Sequence, residues 1–242
     1  MPSGLNLPEG LLARLGLALL TGEPRSFRTD ATRCVSRLQP PLKIYGNENI
    51  PQSGPGLVTT NHYTRSGLRA WWLTLAISSA IPAEIYWLIT SAWTYPDRLR
   101  SVTITPLSRW ILKRLARIYH FTVMPPMPPN PAETLERAAT VRRVLRYSEL
   151  NERPLIGLAP EGGDFADPGS LAEPPPGAGR FIAHLCELGL EIFPVGIFEE
   201  NGCLCLRFGA KYTLEATRGL AAARRDHCAS QQVMQHIADL IT

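Results

Sequence analysis

The sequence has no C-x-x-C pair, no internal repeat, no glycine-rich cofactor fingerprint and no unbroken apolar run of membrane-spanning length. Each absence excludes something. Five cysteines, an odd set without paired spacing (Cys34, Cys186, Cys203, Cys205, Cys228), give neither a disulfide framework nor a zinc site and fit a reducing cytosol. Cys203 and Cys205 alternate with Leu204 and Leu206, so they share one face of a strand. No metal and no cofactor are expected. The longest apolar stretch, Ala70 to Ile89, is broken by Pro82 and Glu84 and reads as helix, turn and strand rather than as a span of about 20 apolar residues. The start Met1-Pro2-Ser3-Gly4 lacks the cationic region of a signal peptide, so export is not expected. A net charge of +4 and a pI near 8.9 point to anionic partners such as phosphate groups or acidic lipid, and are too mild for nucleic acid.

What is present is a chain of 242 residues with 45% hydrophobic content, enough for one domain with an appendage. Residues 1–40 form the appendage, with Leu11, Leu12, Leu15, Leu19 and Leu20 at helical spacing before a Gly-Glu-Pro break and the basic run Arg25 to Arg33. This amphipathic segment either packs on the core or lies in a lipid interface with its arginines near head groups. From residue 41 to 242, apolar runs and helical patterns alternate. Strands are expected at Lys43–Gly46, Gly56–Thr60, Glu84–Thr90, Phe121–Met124, Leu155–Ala159, Glu191–Phe198 and Cys203–Phe208, with Asn201-Gly202 as a hairpin turn. Helices are expected at Ser66–Ser79, Thr105–Ile118, Ala132–Tyr147, Ala178–Leu188 and Leu214–Ile241, and Ala92–Arg100 as a loop. The stripe Arg109, Lys113, Arg117 on the second of these helices is either a solvated face or, flanked by Trp110 and Tyr119, a contact for anionic lipid or a substrate phosphate. Pro125 to Pro131 is too stiff to enter a sheet. The fold class is α/β, a central sheet flanked by helices.

Two stretches carry chemistry. Leu57 to Thr60 is an apolar, β-branched run that ends in Asn61-His62, which puts a histidine at a strand-to-helix junction. In open α/β sheets that is where ligands gather. Leu155 to Ala159 ends in Pro160-Glu161-Gly162-Gly163, and the long Gly- and Pro-rich loop after it is of the kind that is disproportionately functional.

Asn61-His62 and Pro160-Glu161-Gly162, in this order, followed by Gly177-Ala178-Gly179-Arg180 and by Phe193-Pro194-Val195-Gly196-Ile197, resemble the glycerolipid acyltransferase family, which includes the lysophosphatidic acid acyltransferases. The resemblance covers about residues 41 to 215. It implies a mixed central sheet of the glycerol-phosphate-acyltransferase type, with His62 as the general base that takes a proton from an acceptor hydroxyl as its oxygen attacks an acyl thioester. It implies that Asn61, Arg65, Pro160, Glu161, Gly162, Gly163 and Arg180 contact substrate, with glycine at 162 and 163 letting backbone N–H groups approach an anion. Pro194 and Val195 match a strand that lines the acyl or acceptor pocket. Acyl-CoA or acyl carrier protein is the implied donor, a lysolipid or another hydroxyl the acceptor, and the inner face of the membrane the place of work.

The departures are as informative. The family places Asp where this chain has Gly67, which removes the carboxylate expected to orient the imidazole; in a serine protease the analogous loss costs roughly 10⁴ in turnover. Glu161, Asp164, Asp97 or a backbone carbonyl are the available replacements. Gly163-Asp164 stands where a small polar residue and Arg are usual, and Phe121 to Pro125 offers no Arg either. Arg65, Arg69 or Arg180 would then supply the cations, unless the acceptor is uncharged. The leading expectation is an acyltransferase. The alternatives are a non-catalytic lipid-binding module on the same fold and an acyl-thioester hydrolase.

Overall fold

Gly56-Leu57-Val58-Thr59-Thr60 is buried at every position, the signature of a strand covered on both faces. The computed structural model, which describes residues 9–63, 70–163, 171–214 and 219–241, puts that strand in the middle of a seven-stranded mixed sheet. In chain order the elements are α1 (Glu9–Thr21), α2 (Phe27–Val35), β1 (Lys43–Tyr45), β2 (Gly56–Thr60), α3 (Trp71–Ala80), β3 (Tyr86–Thr90), α4 (Arg98–Ile118), β4 (Thr122–Met124), α5 (Thr134–Leu150), β5 (Leu155–Leu158), α6 (Ala178–Glu187), β6 (Glu191–Glu200), β7 (Cys203–Phe208) and α7 (Ala222–Ile241). The strand order is β1-β7-β6-β2-β5-β3-β4. All neighbours are parallel except β6 and β7. That antiparallel pair turns at Asn201 and Gly202, both with positive φ (53° and 76°), as the Asn-Gly dipeptide predicts.

Successive residues of β2 face opposite layers. Val58 joins Trp72, Ile77, Trp87, Val195 and the buried side of α2 in one core. Leu57 joins Ile156, Leu185, Ile192, Val233 and Ile237 in the other, under α5, α6 and α7. Each such fully buried aliphatic side chain contributes about 1.5–3 kcal/mol relative to exposure. Between the layers, the Trp87 indole donates to Ser78 Oγ on α3 at 2.9 Å and covers β5 at Gly157, where a Cβ would run into the ring.

Apart from the last helix, which begins at Ala222 and not at Leu214, two elements depart from the sequence expectation. The basic run after Pro24 contains a helix, α2, whose first turn is capped when Ser26 Oγ accepts from Thr29 N at 3.0 Å. Its Asp30 is buried and accepts from Arg25 Nε and an Arg25 terminal nitrogen at 2.9 and 2.8 Å and from Tyr119 Oη at 2.9 Å, a closed network that holds α2 against the end of α4. Burial, then the Asp30 charge, pushes the Tyr119 phenol well above its ordinary range. The second departure is α4. It starts at Arg98, not Thr105, capped by Asp97 Oδ1 accepting from Arg100 N at 2.9 Å, and runs through Pro106. Pro106 is exposed, so the carbonyl that loses its helical partner faces water.

Candidate active site

β2 and β5 lie side by side in register, Thr59 opposite Leu158, so residues equally far beyond that pair arrive at the same edge together. His62 and Glu161 each stand three residues past it. The sequence expectation that the two stretches meet is met by this register. Glu161 is 1% exposed, and its carboxylate accepts from the His62 backbone N at 2.6 Å and from Ala172 N at 2.7 Å. It thereby ties the histidine's main chain to the loop ahead of α6. Hydrogen bonds to a carboxylate are worth about 1.5–3 kcal/mol each.

Asn61 is held from the other side. Its Nδ2 donates to Ile197 O at 2.9 Å, and its Oδ1 accepts from Ile197 N at 2.8 Å, at 3% exposure. The side chain amide thus continues the β2–β6 ladder past its last backbone pair, Thr60 with Val195. Tyr63 Oη donates to Glu199 Oε2 at 3.4 Å on the same strand. His62 is therefore anchored by its neighbours to β6 and by its own N–H to β5, and it stays partly accessible.

The remaining expected residues fall in different places. Pro160 is buried in the turn before Glu161. Gly162 has φ 73°, its N–H donates to Ala159 O at 3.1 Å, and it stays exposed with Met127 and Pro175 beside it. Gly163 follows at the rim. Arg180 is exposed on the first turn of α6, where Gly177 N and Arg180 N donate to Asp226 Oδ2 and Oδ1 at 2.6 and 2.8 Å. The chain's own carboxylate already fills that helix N-terminus. Arg65, Gly67, Arg69 and Asp164 lie outside the described residues. Of the proposed replacements for the family's Asp, Asp97 caps α4 and Glu161 grips the His62 main chain. Sequence reasoning missed Asp226, Ala172 and Met127; no local pattern marks residues whose role is set by long-range contact.

A cavity of about 290 Å³, lined by residues including Arg25, Glu84, Tyr86, Tyr119 and His120, opens at the start of β3, the opposite end of the sheet. It is remote from this edge.

A mixed sheet whose parallel strands deliver a histidine and a buried glutamate to one edge defines an α/β protein with its candidate site at the carboxyl ends of the strands. The acyltransferase family model matches residues 41–198, and the chain belongs to that family, with acyl transfer as its class of chemistry. The 1-acyl-sn-glycerophosphate (LPA) acyltransferase PlsC from Thermotoga maritima has the same fold, with a TM-score of 0.54 over 97% of this chain and 84% of that one at 13% identity. Comparison with curated proteins gives no match.

Proposed function

We propose that the chain moves a fatty acyl group from acyl-CoA or acyl carrier protein to a hydroxyl of a lysophospholipid or related lipid, with His62 as general base. An imidazole nitrogen takes the hydroxyl proton as the oxygen attacks the thioester carbonyl carbon. The tetrahedral intermediate then collapses, the C–S bond breaks, and the imidazolium returns the proton to the departing thiolate. Asn61 and Glu161 position the base by fixing the backbone on either side of it, and Gly163, Arg65 and Arg180 meet the acceptor. The work is done at a membrane surface, on the cytoplasmic side; no helix among the described residues is long and apolar enough to cross a bilayer.

The observation that carries this reading is the in-register delivery of His62 and Glu161 to one edge of the sheet, within the residues that match the family. The test is incubation of purified protein with labelled acyl-CoA and a panel of lysophospholipids and glycolipids. Transfer is expected, and His62→Ala is expected to lower it by about 10²- to 10⁴-fold. Transfer that survives His62→Ala overturns the base assignment, lipid binding without turnover supports the binding-module alternative, and thiol release without any acceptor supports the hydrolase.

A further inference from the structure

Ser108 marks a level on α4: its Oγ accepts from Trp93 N at 3.0 Å, three residues beyond the end of β3. β3 pairs with β5 at Tyr86 opposite Ile156, so its end comes level with the Pro160-Glu161 turn. Residues 98–107 precede Ser108 in a helix that runs back along the sheet, and so they overhang the catalytic edge by about 15 Å at 1.5 Å per residue. No residue of that half of α4 is fully buried. Its largest exposed groups are nevertheless aliphatic, Leu99, Val102 and Leu107 being 73%, 62% and 57% exposed, with the exposed Arg98 and Arg100 flanking them at the helix start. An aqueous surface gives no reason for three large aliphatic groups on a projecting helix.

The same outward face changes character further on. Positions 99, 102, 106, 110, 113 and 117 recur every three or four residues and share one side of the helix. After Trp110, 49% exposed, that side turns basic, and a groove of about 230 Å³ is lined by Trp110, Lys113, Arg114 and Arg117. Lys113 pairs with Glu136 at 3.7 Å across solvent, and Arg114 donates to Leu20 O at 3.2 Å. An apolar stretch, then an indole, then a cluster of cations is the order of chemistry from acyl chains through the interface to anionic head groups. Trp93, also exposed, stands at the root of the overhang.

We infer that this face of α4 docks on an anionic lipid bilayer, with Leu99, Val102 and Leu107 inserted beside the candidate active site, Arg98 and Arg100 reaching back to the head groups and the Trp110 groove seated on them. The inference deepens the membrane reading above and rests on it. It places the histidine's edge at the lipid surface, where a lysolipid reaches it by lateral diffusion.

The full chain is mixed with vesicles of phosphatidylcholine, alone or blended with phosphatidylglycerol, and binding is read by cosedimentation and by quenching of tryptophan fluorescence by brominated acyl chains. Preference for the anionic vesicles is expected. Lys113→Gln with Arg117→Gln is expected to weaken it about thirtyfold, the worth of two juxtamembrane cations. Leu99→Ser, Val102→Ser and Leu107→Ser together are expected to abolish quenching while leaving circular dichroism unchanged. Equal binding by this triple variant and the parent overturns the inference, as does a parent that forms a dimer which the triple variant dissolves. Acyl transfer between short, water-soluble substrates is read from the same preparations. Its absence in the parent, with vesicle binding that still follows α4, defeats the catalytic reading and leaves the docking face standing.

Discussion

Asn61→Asp changes one NH2 into one oxygen and leaves the shape of the side chain intact. In the parent, that NH2 donates to Ile197 O at 2.9 Å while Oδ1 accepts from Ile197 N at 2.8 Å. The ionised aspartate keeps the second bond and sets an oxygen against the Ile197 carbonyl in a site 3% exposed. A buried charge left in that position costs about 3–5 kcal/mol. The cost has a ceiling, because the folded variant can bind a proton at that oxygen and recover the lost donor. Starting from an ordinary carboxyl pKa of about 3.9, protonation at pH 7 costs about 4 kcal/mol. The variant is therefore expected to be about 3–4 kcal/mol less stable than the parent at pH 7. Its folded-state pKa is raised, so between the unfolded and folded values the native state holds more protons, and stability falls as pH rises. Urea unfolding of both proteins at a series of pH values should show a gap of about 1.5 kcal/mol at pH 5 that widens by about 1.4 kcal/mol per unit until it levels off at the pH 7 value. A gap that does not change with pH, or one below about 1 kcal/mol at pH 7, refutes the argument that both amide atoms stitch β2 to β6.

Asp30→Ala leaves Arg25 partly buried without its carboxylate and is expected to cost about 3–5 kcal/mol in urea unfolding, against about 1–2 kcal/mol for Tyr119→Phe; equal small effects would show that the network is dispensable. Burial, with the Asp30 charge as a second cause, lifts the Cys34 thiol to about 11, and burial lifts Cys186 to about 11. At pH 8 only about one thiol in a thousand is then ionised at either position, so iodoacetamide should spare both in the native protein and label both in urea, read by mass spectrometry. Their neutral forms favour the fold, and that contribution is full below about 9 and lost as pH climbs through about 11.

Much of the architecture was legible because it is local. The buried run of β2, the Asn-Gly hairpin and the turn after β5 each announce themselves within a few residues, and the parallel α/β class follows from their alternation with helices. The pairing that makes the site is not local. Nothing near Asn61 says that its amide will serve Ile197, and nothing near Gly177 says that Asp226 will cap α6. The resemblance made Asn61 a substrate contact, whereas its amide is spent on the neighbouring strand. The start of α4 was hidden by Pro106 and by the aromatic, proline-containing approach to it. A proline forfeits one helical hydrogen bond, and on a projecting, solvated face water replaces it at little cost. Glu161 shows the opposite case: its nearness to His62 was legible, but not that its carboxylate would accept from the backbone N–H groups of His62 and Ala172.

The contact of Trp87 with Gly157 and Ser78 also restricts how the sequence can drift. A methyl group at 157 requires the indole to leave, and the departure of the indole first opens a void in the core that α3 and β5 share, with Ser78 left unpaired. Either single step costs stability, so the three positions are expected to change in concert. Gly157 lies four residues before Glu161 on the strand that presents it, and so the glutamate's setting is held constant by a lineage constraint seated in the hydrophobic interior.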